Sequence, residues 1–144
     1  MRKRTQARDW ALKVLYQSDI IGKTRSFDLI LEQFFENEED KDPEVQKFCR
    51  QIGSGVKEHL EEIDALISQY ATNWQIKRMA IIDKNILRMG VFELKYVPEI
   101  PPKVTINEAV ELAKKFGDLE SSRFVNGILD KIFKTEIVPL GKKL

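Results

Sequence analysis

The chain of 144 residues has few of the residues that build disulfides, metal centres or catalytic pairs. It contains one cysteine, Cys49, and one histidine, His59. A single cysteine excludes an internal disulfide and is typical of a reducing compartment. One cysteine and one histidine are also too few for a Cys/His zinc cluster. Nucleotide-binding and nucleophile motifs are absent as well, so we expect no catalytic residues, no metal, no cofactor and no enzymatic activity.

Long apolar runs and a strong net charge are lacking too. No apolar run approaches the roughly 20 residues of a membrane span, and the N-terminus lacks the unbroken apolar core of a signal peptide. We therefore expect a cytoplasmic protein without a membrane partner. The net charge is +1, so any attraction to nucleic acid has to come from a local cluster of basic residues.

The clearest basic cluster opens the chain and leads into an amphipathic segment that ends near Ile21. Its basic residues are Arg2, Lys3, Arg4 and Arg8. The apolar residues that follow recur every three or four positions, which predicts one buried helical face. The basic end has two interpretations: a set of RNA phosphate contacts, or a charge that only keeps the protein soluble.

The remaining periodicity predicts an all-α protein of six or seven helices in two packed bundles. We expect subdomains over residues 1–71 and 72–135 and a flexible tail over 136–144. A bend or break is expected near Gly53–Gly55 or shortly after, around His59 to Glu62. Thr105 and Glu108 have capping-box spacing, which predicts that a helix begins there. The sequence does not decide whether Trp74 lies in the core or at an interface.

Three aromatic residues and one carboxylate are further candidates. Tyr16, Tyr70 and Phe124 could stack on unpaired bases, although each could equally pack in the core. Asp83 lies at the edge of an apolar helical stripe. It either pairs with a basic residue of its own domain or anchors a basic partner protein.

Several short motifs then follow one another along nearly the whole chain, and the two nearest the C-terminus are the most specific. The five motifs are Ala7–Arg8, Leu15–Gln17, Ile86–Arg88, Val104–Lys114 and Phe124–Asp130. With these motifs the sequence resembles the NusB family of bacterial transcription antitermination factors. One departure is Thr5–Gln6, which interrupts the arginine run that this family often has before its Ala-Arg pair.

The resemblance implies an all-helical protein that binds the boxA element of RNA with NusE, a ribosomal small-subunit protein, within the RNA polymerase antitermination complex. It places RNA contacts on Arg4, Arg8, Tyr16, Tyr70, Glu120 and Phe124, beside the basic Arg2 and Lys3, and the partner interface around Asp83. Monomer and homodimer both stay open.

We therefore expect an antitermination factor that binds boxA-type single-stranded RNA and promotes read-through, notably in ribosomal RNA operons. Two alternatives are a helical protein-binding adaptor and a stand-alone RNA-targeting module related to the N-terminal domains of ribosomal RNA methyltransferases. The adaptor predicts no RNA binding even when the partner is present.

Overall fold

The structure is a computed structural model that describes residues 2–71 and 78–142. This part of the chain contains α-helices and short helical turns and has no strand, which confirms the all-α prediction. Trp74 lies outside the described residues. The α-helices are α1 (Lys3–Ile21), α2 (Phe27–Asn37), α3 (Pro43–Glu58), α4 (Leu60–Tyr70), α5 (Ile81–Tyr96), α6 (Pro102–Phe116) and α7 (Leu119–Ile132).

The chain forms two compact units, Met1–Glu58 and His59–Leu144. The division therefore falls at the predicted break near His59, earlier than the subdomain boundary that the sequence analysis placed at residue 71. In the described ranges, no helix combines the length and apolar character that a bilayer span requires.

The first unit is built around the contact between α1 and α3. The predicted apolar face of α1 is buried, and Trp10 packs edge-on against Phe34 with ring centroids 5.7 Å apart. Ser26 caps α2, since its hydroxyl accepts a hydrogen bond from the Leu29 amide. Gly53 allows α3 to approach Phe27 closely, because a Cβ there would lie 2.9 Å from that ring. Close packing thus explains this glycine.

The second unit surrounds α5, in which every residue from Asn85 to Leu94 is buried. Helices α4, α6 and α7 all pack against it. Gly90 lets α7 come close, because a Cβ at this position would lie 2.8 Å from a methyl carbon of Leu129. Asp83 lies in the first turn of this central helix, so the packing of the helix fixes where that carboxylate lies.

Helix α6 begins earlier than the predicted capping box. Pro102 is its first residue, a position that suits proline because the missing N–H has no helical partner there. Thr105 therefore lies inside the helix and donates a hydrogen bond to Glu93 Oε1 at 3.0 Å. The capping role predicted for Thr105 is wrong, because its hydroxyl instead partners a carboxylate that is 2% exposed.

The segment expected to be a flexible tail is helical in its described part. Phe133–Ile137 forms a π-helical turn and Val138–Leu140 a 3-10 turn, and Ile137 is buried. Lys142 Nζ then donates to the carbonyl oxygens of Glu93 and Val97 at 3.1 and 3.0 Å. Both carbonyls also accept a backbone hydrogen bond, Glu93 O from the Val97 amide and Val97 O from the Ile100 amide, so Lys142 adds a second donor to each at the C-terminal end of α5.

Candidate nucleic-acid and partner interface

The basic end of α1 presents its residues in different ways. Arg2, Lys3 and Arg4 are exposed, whereas Arg8 is only 3% exposed. The guanidinium carbons of Arg4 and Arg8 lie 4.8 and 5.2 Å from the centre of the Phe48 ring. Stacking on an aromatic face holds a guanidinium in place. The exposed Arg4 can therefore meet a ligand from solvent, whereas Arg8 is buried at this end of the helix.

The two candidate tyrosines also differ. Tyr16 is 40% exposed on α1, so part of its ring can be reached from solvent. Tyr70 ends α4 and is half-buried, and its hydroxyl donates a 2.5 Å hydrogen bond to Glu136 Oε2. This bond to a carboxylate raises the pKa of Tyr70. The π-helical turn that carries Glu136 thus fixes the orientation of the Tyr70 ring.

A pocket of about 510 Å³ lies in the second unit, where α5 and α7 begin. It brings together the predicted partner anchor, Asp83, and two predicted RNA contacts, Glu120 and Phe124. Tyr70 is not among the described residues that line it. The described lining residues are Met79, Ala80, Asp83, Asp118, Glu120, Ser121, Arg123 and Phe124. With three carboxylates and an aromatic ring, the pocket suits a cationic ligand group on one side and a planar group on the other.

Ser121 holds two of these carboxylates in place. Asp118 is the N-cap of α7, and its Oδ1 accepts a hydrogen bond from the Ser121 amide at 2.8 Å. The Ser121 hydroxyl donates to Asp83 Oδ2 at 3.3 Å. Asp83 Oδ1 is buried and has no hydrogen-bond partner among the described residues. Ser121 therefore positions Oδ2 of Asp83, whereas Oδ1 can still accept a hydrogen bond from a bound partner group.

Burial raises the pKa of Asp83 above its ordinary value, and the charge of Asp118 adds to this effect. The hydrogen bond from Ser121 opposes it. A partly desolvated carboxylate beside another carboxylate is typical of a binding site. A cationic partner group would offset both the lost hydration of the charged carboxylate and its repulsion by the neighbouring one.

Sequence reasoning missed Ser121 and Arg123, which also line the pocket. Arg123 is exposed and immediately precedes Phe124. A basic residue next to a candidate stacking residue is a signal that could have identified it. Ser121 carried no comparable signal, because its role depends on the approach of Asp83 from another helix.

The chain is similar to known proteins in both sequence and structure. The NusB family model matches residues 5–134. A transcription antitermination protein NusB from Myxococcus xanthus is 48% identical, over 92% of this chain and 95% of its own. The structure of T. maritima NusB superposes with a TM-score of 0.85 at 36% identity, covering 95% of this chain and 94% of that one. A crystal structure of NusB and NusE in complex with double-stranded RNA contains a chain that is 30% identical, with a TM-score of 0.84 and coverage of 93% and 98%.

Proposed function

The chain belongs to the NusB family, and from this premise we propose that it is a transcription antitermination factor that binds boxA-type RNA together with NusE. It acts in the cytoplasm by assembling a complex that promotes read-through by RNA polymerase, and no chemical step is involved. The observation that carries the proposal is the pocket that Asp83 and Phe124 share. Because these two residues line one pocket, protein partner and RNA would meet at one edge of the second unit.

Each part of the proposed interface has a distinct physical role. Arg4, with Arg2 beside it, attracts phosphates whatever the RNA sequence, and Arg8 supports this end of α1. Phe124 and the tyrosines offer rings for base stacking, and Glu120 can accept a hydrogen bond from a base or ribose. Asp83 receives a basic group of NusE. Because partner and RNA share one assembly, each should strengthen binding of the other.

Fluorescence anisotropy of a short labelled boxA RNA tests the proposal. We expect a signal that tightens when NusE is added and that is weaker for a scrambled RNA of equal length. Equal binding of both RNAs would leave only generic attraction to basic residues. No binding with or without NusE would favour the protein-binding adaptor.

Arg4→Ala should weaken binding to boxA and scrambled RNA by a similar factor. One phosphate contact is lost, so the slope of log affinity against log salt should become shallower by about 0.7 for a single strand. Lys23→Ala is the matched control, because Lys23 is exposed in the same unit but follows the other end of α1. An Arg4→Ala slope equal to that of the Lys23→Ala control would contradict the proposed role.

Asp83→Asn should stabilise the protein at neutral pH while weakening the binding of NusE. The folded-state pKa of Asp83 is raised, so the folded protein favours the protonated carboxyl. Its stabilising contribution to the free energy of unfolding is present below the ordinary pKa of 3.8 and is lost as pH rises through the higher folded-state pKa. The advantage of asparagine should therefore grow between about pH 4 and 7, up to about 1 kcal/mol because solvent screens this half-exposed site. Thermal unfolding across this range measures it, and an advantage that shrinks with rising pH would refute the argument.

A further inference from the structure

The acidic segment of residues 36–44 runs from the end of α2 to the first turn of α3 and contacts the basic end of α1 within the first unit. Lys3 Nζ lies 3.0 Å from Glu44 Oε2 and 3.2 Å from Asp42 Oδ2. Gln6 Nε2 donates to Asp40 Oδ2 at 3.0 Å. A cation and an amide at the proposed RNA-binding end are thus already held by carboxylates of the same chain.

Backbone hydrogen bonds hold two of these three carboxylates, those of Asp40 and Asp42, in place. Asp40 Oδ1 accepts from the Asp42 amide and Asp42 Oδ1 accepts from the Glu44 amide, both at 2.9 Å. The hydrogen bond from the Glu44 amide and the contact with Lys3 lower the pKa of Asp42. Hydrogen bonds to Glu44 and Asp42 raise the pKa of Lys3. Lys3 and Asp42 therefore keep their charges at neutral pH. Because backbone amides hold Asp40 and Asp42, the shape of the segment does not depend on Lys3.

A carboxylate offers an ammonium group the same kind of acceptor oxygen as a phosphate does. We propose that Asp42 and Glu44 are specificity-determining residues, which occupy Lys3 and so lower the sequence-independent affinity for RNA. This inference rests on the proposed function, because it requires that the basic end of α1 faces RNA. Non-specific binding grows with the number of cations that meet phosphates, so removing one leaves a larger share of the selection to base contacts.

The contact is suited to competition and not to permanent closure. Lys3 and Glu44 expose more than half of their side chains, and ion pairs of this kind are weak and screened by salt. RNA can therefore displace the carboxylates when other contacts hold it in register. An RNA that binds through phosphates alone gains little from displacing them.

The test compares two variants that change net charge equally. Asp42→Asn/Glu44→Gln removes the carboxylates that hold Lys3, and asparagine caps a helix as well as aspartate does, so the start of α3 is kept. Glu36→Gln/Glu39→Gln is the control, because both residues are exposed in the same segment. We expect the first variant to bind scrambled RNA about two- to fivefold more tightly, with a salt slope steeper by about 0.7. The control should keep the wild-type slope, and adding Lys3→Gln to the first variant should abolish its gain.

Equal changes in both variants would show that only net charge matters and would overturn the inference. A gain that survives Lys3→Gln, or no gain in the first variant, would overturn it as well. The proposed function fails separately, when the wild-type chain does not bind boxA RNA even with NusE, and the inference then falls with it. Circular dichroism at the assay temperature verifies that each variant is folded.

Discussion

Phe124→Ala is expected to weaken binding of boxA-type RNA by about tenfold or more, because base stacking on an aromatic ring is worth roughly 1–3 kcal/mol per base. Phe124 lines the pocket beside Glu120 and Arg123 and is half-buried. Its side chain is thus partly accessible from the pocket and partly packed against the protein. A fixed ring loses little conformational freedom when a base stacks on it, so most of the stacking energy should appear as affinity.

Alanine also removes packed volume, so two further variants separate stacking from stability. Phe124→Leu keeps much of the apolar volume but has no π-face, and should bind RNA nearly as weakly as Phe124→Ala. Phe124→Tyr keeps the ring and should bind within a few fold of wild type. Phe116→Ala is the matched control, because Phe116 is a half-buried phenylalanine of the same unit on α6 and does not line the pocket. Wild-type affinity in Phe124→Leu would refute the stacking role.

The helices could be predicted from the sequence because their signals are local. The three-to-four spacing of apolar residues defines α1 within a few residues, and the Ser26 cap depends only on residues of its own turn. These features require no knowledge of what packs against them. The pocket could be anticipated only through its separate members, Asp83 and Phe124, which lie on different helices.

What could not be predicted depends on contacts between residues far apart in the chain. Lys3 was expected to face RNA, and its ammonium group also forms an ion pair with Glu44, about 40 positions later in the chain. Thr105 has the right neighbours for a cap, but a buried carboxylate from α5 takes its hydroxyl. Arg8 is charged and near the terminus, yet it packs beside the Phe48 ring of α3 and is buried. At Thr105 a tertiary contact overrides the local interpretation. At Lys3 and Arg8 tertiary packing adds partners within the chain that a local pattern does not reveal.

The largest effect on stability is expected at Arg88, which joins α4 to α5. Its Nε and Nη2 donate to the two carboxylate oxygens of Asp64, both at 2.8 Å, and its Nη1 donates to Asn85 Oδ1 at 3.1 Å. The Arg88 side chain is 8% exposed and that of Asp64 is 24% exposed. A two-pronged pair of this kind is geometrically specific, and removing one member leaves the other charge partly buried without its partner.

Arg88→Met is therefore expected to lower the free energy of unfolding by about 2–4 kcal/mol, somewhat below the range for fully buried pairs because Asp64 reaches solvent. Urea unfolding measures this loss. Lys134→Met is the control, because it removes an exposed ion pair with Asp130 in the same unit, and should cost under about 0.5 kcal/mol. Equal losses in the two variants would contradict the argument.

A double variant shows whether the loss comes from the stranded charge. Arg88→Met/Asp64→Asn should lose less stability than the sum of its two single changes, because neither charge is then left behind. The Arg88–Asp64 pair also supports the proposed interface, because α4 ends at Tyr70 and the first turn of α5 contains Asp83. Weakened RNA and NusE binding in Arg88→Met should thus recover at lower temperature, where the native fold is populated, whereas the binding loss in Phe124→Leu should persist at every temperature.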